Sequence, residues 1–262
     1  MRFIDTHCHI NCDPLRLEVS AVVSRARDAG VGYMLAVGSD LATSAEAVEL
    51  AHAYEGEGVY AAVGVHPHES KTVADGIPED LTKLARDPRV VAVGETGLDY
   101  YYDHSPRDVQ QKVFRHHAQW ALETGKPLVI HVRDAMEDAL KLLGEFPVAE
   151  MSLVFHCYAG GLQYLNAMKD LGAYLSIGGP VTWPKNQELR EVASCVPENR
   201  LFCETDSPWL TPKPHRGKTN EPAYVRFVYE EIAKSRNISV GDLTKIIDAN
   251  AARLFGWRPL CA

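Results

Sequence analysis

The sequence predicts an α/β fold, a (β/α)8 barrel of the TIM type, built as one domain over residues 1–262. Three observations carry that reading. Short β-branched or apolar runs alternate with longer amphipathic stretches, the pattern of repeated βα units. The runs number eight and are roughly evenly spaced along the chain. No composition break, domain linker or low-complexity segment divides them, and a single barrel of this kind commonly takes about 250 residues.

Taken in order, a strand over 2–7 leads to a helix over 15–29, which stops at Gly30. The second unit pairs a strand over 33–37 with a helix over 43–54, and the third pairs 59–65 with 79–86. The fourth unit joins a strand over 90–94 to a helix over 107–124 that ends at Gly125. Strands over 128–131 and 152–156 precede helices over 136–145 and 162–171, the latter ending at Gly172. The glycines are placed where a left-handed helix C-cap needs them. A strand over 173–177 with a helix over 187–195, and a last strand over 201–205, complete the eight units. Helices over 224–235 and 240–255 follow, and the Pro- and Gly-rich stretches, such as PWLTPKPHRGKTNEP (208–222), fall just after strands.

Composition narrows the function. Apolar residues make up 46% of the chain and charged residues 24%, enough for a sizeable core. The net charge of −8 argues against a broad basic surface that wraps duplex nucleic acid. It leaves room for a phosphodiester substrate, because metal ions can supply positive charge locally. The start, MRFIDTHCH, carries no basic-then-apolar leader, and no apolar run is long enough to cross a bilayer. A cytoplasmic protein with no membrane association is expected, and no protein partner is inferred. Six cysteines are too sparse for a disulfide scaffold and read as reduced thiols. Cys8, between two histidines on a strand, is expected to point away from them.

In such a barrel the reactive groups gather at the C-terminal strand ends. FIDTHCH ends the first strand with His7 and His9, and AAVGVHPH ends the third with His66 and His68. VVAVGETGLDY places Glu95 after the fourth strand, with Asp99 further out. PLVIHVRDA supplies His131, SLVFHCYAG supplies His156, and LFCETDSP supplies Asp206. His7 and His9 are two apart, so on an extended chain they face the same way. Asp5 shares that parity and is expected to buttress an imidazole from behind. A lone histidine at a strand end is usually a hydrogen-bonded structural residue. Four histidines with Glu95 and Asp206, all at strand ends, are a metal-ligand set larger than one tetrahedral ion needs. They suit two divalent ions, with Glu95 as the natural bridge. Imidazole and carboxylate favour Zn²⁺, Mn²⁺ or Fe²⁺; Mg²⁺ is the weakest fit, preferring oxygen. His52, His104, His116 and His117 read as surface or packing residues, and His215 is left unassigned.

With these residues assembled, the chain resembles the TatD-like metal-dependent deoxyribonucleases of the amidohydrolase superfamily. The likeness runs nearly end to end through DTHCH, GVHPH, GETGLDYYY, HVRDA, FHCYAG, ETDSPWL and RGKTNEP, in that order. It implies a two-metal barrel that hydrolyses phosphodiesters, often by 3′–5′ exonucleolytic action on DNA. It also implies that one ion takes His7, His9 and Asp206, the other His131 and His156, and that Glu95 bridges them. Where many amidohydrolases carry a carboxylated lysine after the fourth strand, this chain has Glu95. Trp209 stands where family members frequently have tyrosine.

The mechanism read from these residues gives Asp206 the task of guiding or accepting a water proton, beside Glu95 in the centre. His66, surplus to two metal shells, is assigned to the scissile phosphate. Arg133, Arg216 and Lys218 are expected to neutralise flanking phosphates, and Tyr158 and Trp209 to stack on unpaired bases. Tyr100, Tyr101 and Tyr102 are further aromatic residues on the same side. The expected partner is DNA, as single strands or frayed 3′ ends. Three alternatives stand beside this: a hydrolase of a small cyclic amide, lactone or phosphoester; a deacylase of charged transfer RNA; and a metal-dependent nucleic-acid-binding protein without turnover.

Overall fold

In the computed structural model, which describes residues 2–258, parallel strands β1 to β8 lie side by side in chain order. They are β1 (Phe3–Cys8), β2 (Val31–Val37), β3 (Val59–Val63), β4 (Val90–Asp99), β5 (Leu128–Arg133), β6 (Leu153–Phe155), β7 (Tyr174–Ile177) and β8 (Leu201–Cys203). The helices between them are α1 (Val19–Asp28), α2 (Leu41–Ala53), α3 (Glu79–Leu84), α4 (Arg107–Thr124), α5 (Met136–Leu143), α6 (Leu165–Asp170) and α7 (Gln187–Cys195). Two more, α8 (Val225–Arg236) and α9 (Val240–Phe255), follow β8. The predicted (β/α)8 barrel is therefore present. Gly30, Gly125 and Gly172 all adopt the left-handed conformation expected of them. The strands are buried along nearly their whole length, because helices cover one face and the barrel interior fills the other.

The barrel closes at the C-terminal ends of its strands. A parallel bridge joins Cys8 to Ser207, His9 N–H donates to Ser207 O at 2.7 Å, and Asp206 N–H donates to His7 O at 2.9 Å. Asp5 reinforces the seam. One of its oxygens accepts from Thr205 N–H at 2.9 Å and the other lies 2.6 Å from the Thr205 hydroxyl. This corrects the expectation that Asp5 supports an imidazole: among its bonds is one to the His7 backbone N–H at 3.3 Å, and none is to a histidine ring. Burial pushes its carboxyl up to about 8, against the pull of the Thr205 bonds. Lower down the seam, Ile4 N–H donates to the Tyr229 hydroxyl at 3.1 Å, and that hydroxyl donates to Ile4 O at 3.1 Å. A tyrosine on α8 thus satisfies strand groups that no neighbouring strand reaches.

β4 runs five residues beyond the expected end at 94, past Glu95 to Asp99. The ladder slips between Val93 and Thr96, then resumes with Thr96 opposite Ile130, which sets Gly97 opposite His131 and Asp99 opposite Arg133. Gly97 is there for close approach. A Cβ on it would lie 2.0 Å from His131 O, and its φ of +140° favours glycine.

Candidate metal centre

The strand-end residues converge on Glu95. Its Oε2 lies 3.3 Å from His7 Nε2 and 3.5 Å from His9 Nε2, and Asp206 Oδ1 lies 3.9 Å and 3.5 Å from the same nitrogens. Its Oε1 lies 3.0 Å from His131 Nδ1 and 2.6 Å from His156 Nε2. One carboxylate thus splits the imidazoles, Oε2 facing His7 and His9 and Oε1 facing His131 and His156, with His66 Nε2 a third at 3.5 Å from Oε1. The two sets adjoin, with the rings of His7 and His156 stacked at 3.9 Å between centroids. Cys8, in the middle of the His-Cys-His run, points away as its parity requires, with its sulfur 3.3 Å from Leu35 O.

What each ring touches on its far side decides which nitrogen faces inward. His9 Nδ1 lies 3.0 Å from Val37 O, which only accepts, so the proton is on Nδ1 and Nε2 turns a lone pair to the centre. His131 Nε2 lies 3.1 Å from Asp99 Oδ2, which leaves Nδ1 to face Glu95. His156 Nδ1 lies 3.4 Å from Glu204 Oε1, which leaves Nε2 for the centre. His7 Nε2 and His9 Nε2 are 3.1 Å apart, as are His131 Nδ1 and His156 Nε2. Lone pairs this close, beside two carboxylates, repel unless positive charge lies among them. The donor types, the burial and the acceptors behind the rings fit divalent cations. Three groups have donor atoms within 4.8 Å of one another: His7, His9 and Glu95; His7, His156 and Asp206; His66, Glu95 and His131.

Proton affinities follow the same crowding. Burial pushes the Glu95 carboxyl up, but the imidazoles of His156, His66, His7 and His131 outweigh it and hold it well below the ordinary range. Burial also opposes ionisation of Asp206, where the His9 bond and neighbouring imidazoles prevail and lower it. His156 moves the other way: Glu95 and Glu204 overcome its burial and raise it well above the usual imidazole value.

His66 differs from the other rings. Its Nδ1 accepts from His68 N–H at 3.2 Å. Burial, with help from His131, His68 and His156, holds the ring well below its ordinary value despite Glu95. A neutral ring whose Nδ1 accepts carries its proton on Nε2, and that nitrogen lies 3.5 Å from Glu95 Oε1. It presents a donor to the centre, where the neutral rings of His9 and His131 present lone pairs.

The expected substrate contacts are dispersed around the mouth. Trp209 is 51% exposed and meets His9 edge-on at 5.1 Å. Arg133 is exposed and lies over the Tyr101 and Tyr102 rings at 3.9 and 4.8 Å. Arg216 lies over Trp183 at 4.6 Å, and Lys218 is exposed on the same loop. Tyr158 is 3% exposed, its hydroxyl donates to Gly161 O at 2.9 Å, and it lines a pocket with Cys157, Lys185 and Glu188. His215, unassigned from sequence, stacks on Tyr224 at 4.2 Å.

Sequence reading missed the residues behind the ligands. Glu204 stands behind His156 and accepts from Cys157 N–H at 2.5 Å. Asp99, noted only as lying further out, is 1% exposed and bonded to both His131 and His68. The signal was present, since Glu95, Gly97 and Asp99 alternate on one run, but ending the strand at 94 concealed it.

The comparisons with known proteins agree with this geometry. The family described as TatD related DNase matches residues 4–256. An uncharacterized metal-dependent hydrolase of Bacillus subtilis, YabD, is 39% identical over 254 residues, covering 96% of this chain and 98% of the relative. The 3'-5' ssDNA/RNA exonuclease TatD of Klebsiella pneumoniae is 35% identical over 240 residues, covering 90% of each chain. The crystal structure of YJJV, a TatD homolog from Escherichia coli, superposes with a TM-score of 0.91 at 29% identity, covering 98% of this chain and 99% of that one. On the whole-length match and these relatives, this chain belongs to the TatD related DNase family of metal-dependent hydrolases.

Proposed function

We propose that this hydrolase cleaves phosphodiester bonds at a two-ion centre, removing nucleotides from the 3′ end of single-stranded or frayed nucleic acid. The observation that carries the reading is the division of Glu95: Oε2 faces His7 and His9, and Oε1 faces His131 and His156. One ion would be held by His7, His9 and Asp206, the other by His131 and His156, with Glu95 shared. Bound ions at such a centre supply Lewis acidity toward a phosphate oxygen and make a bound water a better nucleophile. The chain does the rest. Asp206, held ionised by the imidazoles around it, orients the water and takes up its proton. His66 donates from Nε2 to a non-bridging phosphate oxygen, which gains charge as the bond breaks.

Arg133, Arg216 and Lys218 would engage phosphates beyond the scissile one, and Trp209 would stack on a base near His9. An acidic chain with Arg133, Arg216 and Lys218 on the loops after its strands suits a strand end better than a long duplex track. The name of the Klebsiella relative supports a single-stranded substrate and admits RNA beside DNA. The test is to incubate metal-loaded protein with 5′-labelled single- and double-stranded DNA and RNA. A ladder shortening from the 3′ end, fastest on single strands, is expected. No cleavage with any divalent ion, or equal rates on closed circular duplex, would overturn the proposal.

A further inference from the structure

Behind His131 lies a second histidine that faces the same carboxylate from the solvent side. Asp99 Oδ2 takes His131 Nε2 at 3.1 Å and His68 Nε2 at 3.0 Å. Its Oδ1 accepts the backbone N–H groups of Tyr101 at 3.0 Å and Tyr102 at 2.9 Å. Four N–H donors thus saturate one buried carboxylate. The backbone of Asp99 is itself clamped, with its N–H donating to Gln110 Oε1 at 2.8 Å and its O accepting from Gln110 Nε2 at 3.2 Å. His68 is half-buried, edge-on to Tyr102 and His104 with centroids 5.4 and 4.6 Å away. It is also the residue whose backbone N–H bonds His66 Nδ1.

We infer that Asp99 and His68 are positioning residues which together fix the tautomer and ring angle of His131, so that its Nδ1 lone pair is turned to the centre. The reasoning is one of donor and acceptor count. Asp99 holds the proton of His131 on Nε2 only while an oxygen, and no N–H, faces that ring. His68 keeps this oxygen in place from the other side by donating to it. Asparagine at 99 offers one acceptor atom and one NH₂ group. It can satisfy the tyrosine N–H pair or the histidine pair, but not both. The arrangement also ties the exposed Tyr101–Tyr102 loop to the centre through the same carboxylate. The inference rests on the metal reading of His131 but is tested without it.

The test uses the full chain. In metal-free protein with ¹⁵N-labelled histidine, at a pH high enough to deprotonate a ring whose pKa Asp99 and Glu95 raise against its burial, His131 is expected as the Nε2–H tautomer. Asp99→Asn is expected to mix or invert that tautomer, and to weaken Zn²⁺ or Mn²⁺ binding in chelator competition by about 10- to 100-fold at one ion only. His68→Ala, at a half-buried position where folding is not at risk, should weaken the same ion in the same direction. His68→Gln, which keeps an N–H donor, should restore most of the loss. Wild-type tautomer and wild-type metal affinity in both Asp99→Asn and His68→Ala would overturn the inference. So would equal losses in His68→Ala and His68→Gln. Failure of the wild-type chain to bind any divalent ion would sink the proposed function instead, leaving the tautomer result to stand by itself.

Discussion

A histidine in this centre is defined by what it touches on the side facing away from Glu95. A carbonyl behind His9 and a carboxylate behind His131 turn the lone pair of the neutral ring inward, and a backbone N–H behind His66 turns a proton inward. That contrast yields a prediction for single residues. His66→Ala should leave the number of bound ions unchanged while lowering kcat by about 10²–10³, the usual cost of losing one donor to a developing anion. His66→Gln should recover part of it through its amide N–H. Loss of an ion from His66→Ala, measured by equilibrium dialysis, would make His66 a ligand and refute the tautomer argument. At this scale much was legible in the sequence. Two-residue parity put His7 and His9 together and turned Cys8 away. Parity misled for Asp5, whose carboxyl reaches across the seam to Thr205, because facing one way along a strand does not say which neighbour lies there.

Elements carry the ligands, and their approach depends on a few backbone contacts and buried bonds. α4 is tied to the end of β3 by His117, whose Nε2 accepts from Val65 N–H at 3.0 Å and whose Nδ1 donates to Val113 O at 2.9 Å. Burial, aided by His116, pushes this imidazole down to about 4 from 6.5, against the Val113 bond. Above pH 6.5 neither the folded nor the unfolded chain protonates it, and the stability is fully present. As pH falls toward 4 the unfolded chain takes a proton that the folded chain refuses, and roughly 3 kcal/mol of stability is lost. His117→Gln keeps a donor and an acceptor but does not titrate. Its urea-unfolding stability, measured with a chelator present, should fall less steeply than wild type between pH 6.5 and 4.5; parallel curves would contradict the assignment. Most elements were legible because apolar periodicity and glycine caps are local signals. The extension of β4 was not, because Gly97 is set by the nearness of His131 O, a tertiary contact that no local pattern records.

Over the whole molecule, the barrel is a sheet whose last joint, between β8 and β1, is made mainly at the catalytic end. The same closure brings Asp206 to His9, so seam and centre are assembled together. The lower part of the seam depends on Tyr229. Tyr229→Phe would keep the ring against Phe3, 5.0 Å away, but leave Ile4 N–H and O without their partner. A loss of about 2–4 kcal/mol in chemical denaturation is expected, since each unpaired buried group costs on the order of 1–3 kcal/mol. A loss below about 0.5 kcal/mol would show that water or a strand shift satisfies Ile4. The eight units and their order were legible as repetition, whereas this closure, made by one bridge and a tyrosine, was not. No described helix is long and apolar enough to cross a membrane.

The account stands on two ions sharing Glu95, and Mn²⁺ titration of the metal-free chain followed by electron paramagnetic resonance tests that most directly. Two Mn²⁺ per chain are expected, with the exchange-coupled spectrum of ions about 3.5–4 Å apart. Glu95→Gln should abolish the coupling. A single ion at saturation, or two uncoupled ions in the wild-type chain, would contradict the account.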